Sequence, residues 1–381
     1  MAAKDLLSPL SENFDFKTAK SYGNIAGIIQ PYIENHFPDV NKADIIIIGV
    51  GEARNAIDNE GANLAPDAIR QAFYKLFPGE WHLNICDLGN LRNTKSPQHT
   101  YENLQELLSL LPVDVSLIIL GGSQDMTLGL TNYYDLNNKI YNLSVIDAFI
   151  DSSLTDNETD NENYLTEILS KQNSQLQNLS LFGVQSFFNH PSKFKILDQL
   201  FIDYFNLGDL KKEINEAEPE LRETHIVSVD ARSIKYADMP AQKQGMPNGF
   251  DGIEICQLAR LSGIAPKNKF FGVFEYNPLL DQRLTGANLI SQMLWYYVDG
   301  KHKNQIAYPE VSKSELLKFY VENDILKLIF YKNQKTNRWW VELSQFETNN
   351  RLIPCSENDY QEALKGQMTK RILRIINKIS I

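Results

Sequence analysis

Short apolar runs alternate with amphipathic segments over most of the chain. The run ADIIIIGV at 43–50 predicts a buried strand, and PDAIRQAFYKL at 66–76 predicts a helix with proline in its first turn. The same alternation predicts strands at 82–90, 115–125, 141–151, 179–184, 224–230 and 270–274, and helices at 102–111, 163–172, 192–200, 253–262 and 284–298. Strands that alternate with helices predict a parallel sheet with helices on both faces.

The two ends of the chain depart from this alternation. A helical pattern around 18–32 predicts a short N-terminal helix. The C-terminal part predicts antiparallel strands with a hairpin turn at NQKTN, followed by one basic helix at about 356–376. We therefore expect an N-terminal helical extension (1–40), an α/β domain with a three-layer, doubly wound parallel sheet (41–300) and a small C-terminal α+β extension (301–381).

Composition restricts the partners and the compartment. The chain has 48 acidic and 37 basic residues and a net charge of −11, which disfavours binding to nucleic acid. Its apolar runs are shorter than a membrane span and no signal peptide is evident, so we expect no membrane partner and a cytoplasmic location. The cysteines lie far apart and are expected to be free thiols: Cys86, Cys256 and Cys355. Residues 151–163, DSSLTDNETDNEN, have no apolar period and predict an exposed acidic loop.

Polar clusters follow four of the predicted strands. They are GGSQD at 121–125, DAFID at 147–151, SVDAR at 228–232 and FEYNP at 274–278. In an open parallel sheet, ligand-binding and catalytic groups collect outside the carboxyl ends of the strands. We therefore expect these four clusters to form one site at that edge of the sheet.

The clusters resemble, in the same order, motifs of the ureohydrolases, the family of arginase, agmatinase and formimidoylglutamase. GGSQD resembles the family's GGDHS, DAFID resembles DAHxD, and 228–252 resembles the long signature that begins SxDxD. Residues 65–70 resemble the GPxxIR motif, and an ExNP motif with a downstream Asp and Thr is matched by Glu275, Asn277, Pro278, Asp281 and Thr285. The resemblance spans about 43–300 and implies an arginase-like fold.

The resemblance also implies a metal centre, which this sequence matches only in part. In the family, two manganese ions are bridged by four aspartates and two histidines, and they activate the attacking water. Gln124 and Phe149 stand here at the histidine positions, and Arg232 stands at one aspartate position. The aspartates that remain are Asp147, Asp151 and Asp230. Family members are commonly trimers or hexamers, so the resemblance also implies a homo-oligomer.

Charge balance predicts what replaces the metal. Like charges about 4 Å apart repel by about 4 kcal/mol at an effective dielectric near 20, so clustered aspartates need a cation. Asp230 and Arg232 are two residues apart on a strand and face the same side. We predict that the Arg232 guanidinium fills the former metal site and bridges Asp147, Asp151 or Asp230, and that no metal cofactor is bound. If a metal does bind, these aspartates would hold it, with Gln124 as a further oxygen donor suited to magnesium or calcium.

The other candidate residues each have two interpretations. Glu275 resembles the acid that recognises the substrate guanidinium in the family, but we favour an ion pair with an internal base such as Arg232. Gln124 is either a turn residue or a ligand, and Phe149 is expected to pack in the core. His190 follows a strand and could lie near the cleft, although a surface loop is favoured, whereas His225 precedes its strand and should lie at the opposite edge of the sheet.

No residue is predicted to be catalytic, and three functions follow from this. The favoured one is a degenerate, metal-free arginase-like protein with a binding or assembly role, in which 301–381 is the candidate surface for a protein partner. The first alternative is an active or altered ureohydrolase that hydrolyses linear amidines, of the formimidoylglutamase or arginase type. The second is a sensor that binds a guanidino or amino-acid ligand without turnover.

Overall fold

The predicted strands form one large, mostly parallel sheet. The computed structural model describes residues 2–11, 22–34, 36–155, 158–307, 312–322, 327–343 and 352–379. Within them, the sheet has the order β1-β4-β3-β5-β10-β9-β6-β7-β8, with β2 also paired to β4. Its strands are β1 (Leu7–Ser8), β2 (Ile29–Pro31), β3 (Ile45–Val50), β4 (Ile85–Leu91), β5 (Ser116–Gly121), β6 (Tyr141–Ile146), β7 (Leu176–Val184), β8 (Asp203–Asn206), β9 (Ile226–Asp230) and β10 (Phe270–Phe274).

Helices cover both faces of this sheet, which confirms the predicted three-layer α/β fold. Alternate isoleucines of β3 point into two buried clusters, because successive strand residues face opposite sides. Ile45 and Ile47 pack with residues of α1, α8 and α9, whereas Ile46 and Ile48 pack with residues of α2 and α3. The helices are α1 (Ala65–Phe73), α2 (Pro97–Leu110), α3 (Thr127–Leu136), α4 (Tyr164–Ser170), α5 (Pro191–Gln199), α6 (Leu207–Leu210), α7 (Glu218–Arg222), α8 (Gly252–Ile264) and α9 (Thr285–Ala307).

Strand order brings the four polar clusters together. The strands that precede them, β5, β10, β9 and β6, are consecutive neighbours in the sheet and pair in parallel. Their carboxyl ends therefore lie side by side at one edge. This arrangement agrees with the edge at which open α/β sheets place their ligand sites.

Over its described part, 22–32, the N-terminal segment differs from the prediction of a helix at 18–32. Residues 12–21 lie outside the described residues, and the rest of that range holds a 3-10 turn at Ile25–Gly27 followed by β2. β1 runs antiparallel and β2 parallel to β4, so this segment extends the large sheet. The backbone of this segment pairs with β4, and the Ile29 side chain is buried in the apolar cluster that contains residues of α1.

The C-terminal part forms a separate antiparallel sheet, as predicted. Its strands are β11 (Leu317–Glu322), β12 (Lys327–Lys332), β13 (Trp339–Leu343) and β14 (Ile353–Cys355), and its helices are α10 (Glu357–Leu364) and α11 (Lys370–Ile379). The prediction of one helix at 356–376 is wrong, because the chain turns at Gly366, whose φ of +76° ends α10 in the left-handed conformation. The division of the chain at residues 40 and 300 stays a prediction.

Ion pairs fasten this C-terminal part to the large sheet. The Arg371 guanidinium lies 2.9 Å from a Glu220 carboxylate oxygen, and the Arg374 guanidinium lies 2.9 Å from Asp203 at the start of β8. α11 therefore packs along the edge strand of the large sheet.

Across the described ranges, every helix is too short or too polar to cross a membrane.

A buried lysine lies at the opposite edge of the sheet from the polar clusters. Lys301 of α9 is only 8% exposed and donates a hydrogen bond from Nζ to the Asn268 carbonyl oxygen at 2.5 Å. Burial lowers the pKa of Lys301 to about 7. The unfolded chain binds this proton up to a pH near the ordinary lysine value of 10.5. At neutral pH the protonated, desolvated ammonium of Lys301 therefore lowers the free energy of unfolding.

We expect the free energy of unfolding to rise with pH through the contribution of Lys301. Between pH 7 and 10.5 the unfolded chain binds more protons at this site than the folded chain, so stability increases with pH. Relative to Lys301→Met, the wild type should gain about 3 kcal/mol between about pH 7 and about pH 9.5, measured by urea unfolding. An equal pH dependence in both proteins would contradict the assignment.

Candidate functional site

Three buried aspartates form the centre of the site. Asp147 directly follows β6, Asp151 lies four residues further on, and Asp230 is the last residue of β9. Each side chain is at most 4% exposed, and one carboxylate oxygen of each lies within 4.8 Å of the others. Adjacent parallel strands produce this cluster, because β6 and β9 pair directly.

The guanidinium of Arg232 contacts all three aspartates. Its Nη2 lies 2.7 Å from Asp230 Oδ2, 3.3 Å from Asp151 Oδ2 and 3.7 Å from Asp147 Oδ2. Its Nε also donates to Asp230 Oδ2 at 2.8 Å. Arg232 sits in a short 3-10 turn that Asp230 caps, because the backbone N–H of Arg232 donates to Asp230 Oδ1 at 2.6 Å. One local turn thus aims the guanidinium at the carboxylates.

Two phenylalanines cover this ion cluster. The Phe149 ring centroid lies 4.9 Å from Cζ of Arg232, and Phe188 stacks on Phe149 at a centroid distance of 5.1 Å. Phe149 is half-buried, so the prediction that it packs in the core is wrong. Its position after β6 turns it outward over the guanidinium, where the ring face favours a cation. Phe188 belongs to the loop after β7, which the sequence analysis did not connect with the site.

A chain of ion pairs ties three loops together above the cluster. Glu162 Oε1 lies 3.6 Å from Arg232 Nη1 and 3.5 Å from Lys243 Nζ. Lys243 Nζ in turn lies 3.6 Å from Asp58 Oδ2. These contacts join the loops after β6, β9 and β3. Glu162 is 39% exposed, so each of these pairs adds little stability.

The acidic loop at 151–163 is less exposed than predicted. Asp151 and Asn161 are buried, and Asn161 Oδ1 accepts a hydrogen bond from the Ile57 backbone N–H at 3.1 Å. The backbone N–H of Asn161 donates to the Asn55 carbonyl oxygen at 3.2 Å. Residues 156 and 157 lie outside the described residues. The loop's polar side chains are therefore partly used to dock it on the loop after β3.

Burial and mutual repulsion control the charges of the cluster. Burial raises the pKa of Asp147 well above its ordinary value, and the neighbouring Asp230 and Asp151 raise it further. Burial also raises the pKa of Asp151 to about 6, although Arg232 opposes this. Burial disfavours the charged form of Arg232, but the three aspartates outweigh it and hold the pKa of the guanidinium well above its ordinary value. Arg232 therefore stays cationic.

Glu275 is capped by neutral donors. Asn59 Nδ2 donates to Glu275 Oε2 at 2.8 Å, and the Gln124 backbone N–H donates to Glu275 Oε1 at 2.8 Å. Across the described residues Glu275 forms no ion pair with Arg232, so that prediction is wrong. Burial raises the pKa of Glu275 to about 7. Its φ of +64° is strained for a residue with a Cβ, which identifies a turn that its surroundings hold in place.

Gln124 lies in the turn after β5, beside Ser228 of β9. The Gln124 side chain donates from Nε2 to Ser228 Oγ at 3.2 Å, while its buried Oε1 has no hydrogen-bond partner among the described residues. It lies in the 3-10 turn Gln124–Met126 after β5. Gln124 is therefore a turn residue, as one interpretation predicts. Its side-chain Oε1, which forms no hydrogen bond in the described structure, is compatible with the other interpretation, a metal ligand. Asp147 Oδ2 is likewise a buried oxygen without a hydrogen-bond partner in the described structure.

The remaining candidates support loops or lie elsewhere. Asp281 accepts hydrogen bonds from the Tyr276 hydroxyl at 2.9 Å and the Ala287 backbone N–H at 3.0 Å, so it holds the turn before α9. His190 is exposed and caps α5, where its Nδ1 accepts from the Ser192 backbone N–H at 3.2 Å. His225 directly precedes β9 and therefore lies at the opposite edge, as predicted.

Sequence spacing did not reveal several residues around the cluster. Lys193 Nζ donates to the Ile150 carbonyl oxygen at 2.7 Å and adds positive charge near Asp151. Asn59 and Lys243 come from loops far away in the chain. Their positions follow from the folding of three separate loops over one edge. Single polar residues in such loops give no sequence signal for this role.

We expect Arg232→Met to destabilise the fold by about 3–5 kcal/mol, because it leaves buried carboxylates without their cation. Urea unfolding at neutral pH measures the change. Arg260→Met is the matched control, since Arg260 is 39% exposed and lies 3.6 Å from Asp299 in a surface pair. The control should lose at most about 1 kcal/mol. Similar losses in both variants would contradict a central role for Arg232.

Comparison with known proteins identifies the fold. The family model described as "Arginase family" matches residues 43–298. A formiminoglutamase of Trypanosoma cruzi, solved with Mn²⁺, has a TM-score of 0.64 at 19% identity and covers 70% of this chain and 96% of its own. The formimidoylglutamase of Bacillus subtilis has a TM-score of 0.63 at 17% identity and covers 79% and 92%.

A third solved structure agrees with these two. The agmatine ureohydrolase of Thermoplasma volcanium has a TM-score of 0.60 at 20% identity and covers 73% of this chain and 96% of its own. A search of curated protein sequences gives no match. At these identities the structural neighbours establish the fold alone. Since the family model matches more than half of the sequence, this chain belongs to the arginase family.

Proposed function

We propose that this chain is a degenerate arginase-family protein in which Arg232 replaces the metal ions, and that it acts in binding or assembly without hydrolysing amidines. One observation carries the proposal: Nη2 of Arg232 lies 2.7–3.7 Å from an oxygen of Asp230, Asp151 and Asp147. A fixed guanidinium thereby supplies the positive charge that the resemblance assigns to manganese.

The donor set at this position does not fit a two-metal centre. Phe149 has no ligand atom and Gln124 offers only an amide oxygen, whereas the resemblance expects imidazoles at both positions. A divalent cation among the three aspartates would lie within a few ångströms of the Arg232 guanidinium. Repulsion of about 4 kcal/mol or more for each unit of charge would oppose it.

The surrounding residues also oppose hydrolysis. The Phe149 ring lies over the Arg232 guanidinium and Phe188 stacks on it, so apolar side chains cover part of the ion cluster. Glu275, the residue that resembles the substrate-recognising acid, already accepts hydrogen bonds from Asn59 and Gln124. The cluster is therefore better suited to fix loops than to turn over a ligand.

The main alternative is an active or altered ureohydrolase, and one observation favours it. Asp147, Asp151 and Asp230 keep one oxygen each within 4.8 Å of the others. If Arg232 swung away, these oxygens and the free Oε1 of Gln124 could hold a hard cation such as magnesium or calcium. Metal content and turnover separate this alternative from our proposal.

Protein purified in the presence of manganese should carry far less than one ion per chain, because Arg232 occupies the ligand atoms. Metal content is measured by elemental mass spectrometry. The same sample should release no urea, ammonia or formamide from arginine, agmatine or formimidoylglutamate. A manganese-bound formiminoglutamase assayed in parallel is the positive control. About two ions per chain with measurable turnover would overturn the proposal.

Replacing the arginine by the family's aspartate should restore cation binding. Arg232→Asp removes the fixed cation and adds a carboxylate, so manganese should raise the Tm of the variant by roughly 5 °C while leaving the wild type unchanged. Arg232→Asn is the matched control, since it also removes the cation but adds no charge, and its shift should be smaller. A wild-type shift as large as that of Arg232→Asp would mean that Arg232 does not exclude metal.

A further inference from the structure

The two sheets end in edge strands, and most of these are short or covered. β1 has two residues, and β2 and β14 have three residues each, with a proline in both. β8 is covered by α11, where Arg374 pairs with Asp203 and lies over the Tyr204 ring at 4.8 Å. Short, proline-containing and covered edges are the usual protection against unwanted strand pairing.

β11 lacks this protection over the described residues. Its six residues pair with β12 along their whole length, and no described strand pairs with its other side. Among the described residues, the backbone N–H and C=O groups on that side pair with no other strand, so they form a template for one. Two large side chains on β11 are also exposed, with Tyr320 at 73% and Leu317 at 41%. A long, open and partly apolar edge requires a partner strand or a specific guard.

The charges on β11 are complementary to a second copy of the same strand. Lys318, Tyr320 and Glu322 alternate along β11, so they share one face, and all three are exposed. Glu322 Oε1 lies 2.6 Å from Lys327 Nζ on β12, but its side chain is 65% exposed, so it can also face a charge on a neighbouring copy. Antiparallel pairing about a two-fold axis through Tyr320 places Lys318 opposite Glu322 of the second copy, and symmetry repeats this pair. Tyr320 then lies opposite itself. Opposite charges and aromatic rings are the cross-strand pairs that stabilise antiparallel sheets.

We propose that β11 is the interface of a homodimer, in which two four-stranded sheets join into one eight-stranded antiparallel sheet. A lone lysine on an edge strand discourages pairing, but this register places the opposite charge of Glu322 against it. One strand pair buries less area than a standard interface, so the dimer should be weak and concentration-dependent. The proposal does not depend on the state of the aspartate cluster, because none of its residues belongs to the cleft.

A charge swap in the full chain tests this register. Sedimentation velocity across a concentration series measures the dimer fraction for the wild type, Lys318→Glu, Glu322→Lys and the double variant. Each single variant should weaken association roughly tenfold, because both symmetric pairs change from attraction to repulsion. The double variant should recover most of the wild-type association. Lys335→Glu is the matched control, since Lys335 is exposed in the hairpin turn away from β11, and it should leave association unchanged.

Several results would overturn the proposal. The wild type could stay monomeric at every concentration, or both single variants could associate as strongly as the wild type. Failure of the double variant to recover association would reject the register through Tyr320. Circular dichroism and Tm of each variant verify that the fold is retained. None of these results affects the metal and turnover measurements, so the two proposals fail separately.

Discussion

The site at the carboxyl ends of the strands depends on one electrostatic constraint, which is that three carboxylates buried at the ends of β6 and β9 require a nearby cation. Arg232 meets this requirement from a turn that Asp230 itself caps. The aspartates hold the pKa of the guanidinium well above its ordinary value, so the neutralising charge is permanent. A guanidinium differs from a metal ion, because it can donate hydrogen bonds to a water molecule but cannot coordinate that water and lower its pKa.

The loops after β3, β6 and β9 contact this cluster and one another. Phe149 covers the guanidinium, and Glu162 connects it to Lys243 and to the loop after β3. Glu275 lies in a strained turn, and its carboxylate accepts hydrogen bonds from Asn59 and from the Gln124 backbone N–H. The contacts of the cluster therefore connect loops to one another, although the cluster lies where open α/β sheets place their active sites. The fold needs these buried charges balanced, and the Arg232 guanidinium lies where it can balance them.

Sequence patterns predicted the sheet, its layers and the meeting of the four clusters, since these follow from periodicity and from strand ends. α3 was missed because most of its residues are buried, which removes the amphipathic signal. The outward position of Phe149 and the capping of Glu275 by Asn59 were also missed. Both depend on loops that meet only after folding, and no local residue preference encodes such contacts.

The central claim is tested most directly by a crystal grown with manganese and measured at the manganese absorption edge. Our account predicts no anomalous peak among Asp147, Asp151 and Asp230, and density for the Arg232 guanidinium within hydrogen-bonding distance of Asp230. Two strong anomalous peaks bridged by these aspartates, with the Arg232 side chain turned toward solvent, would contradict it.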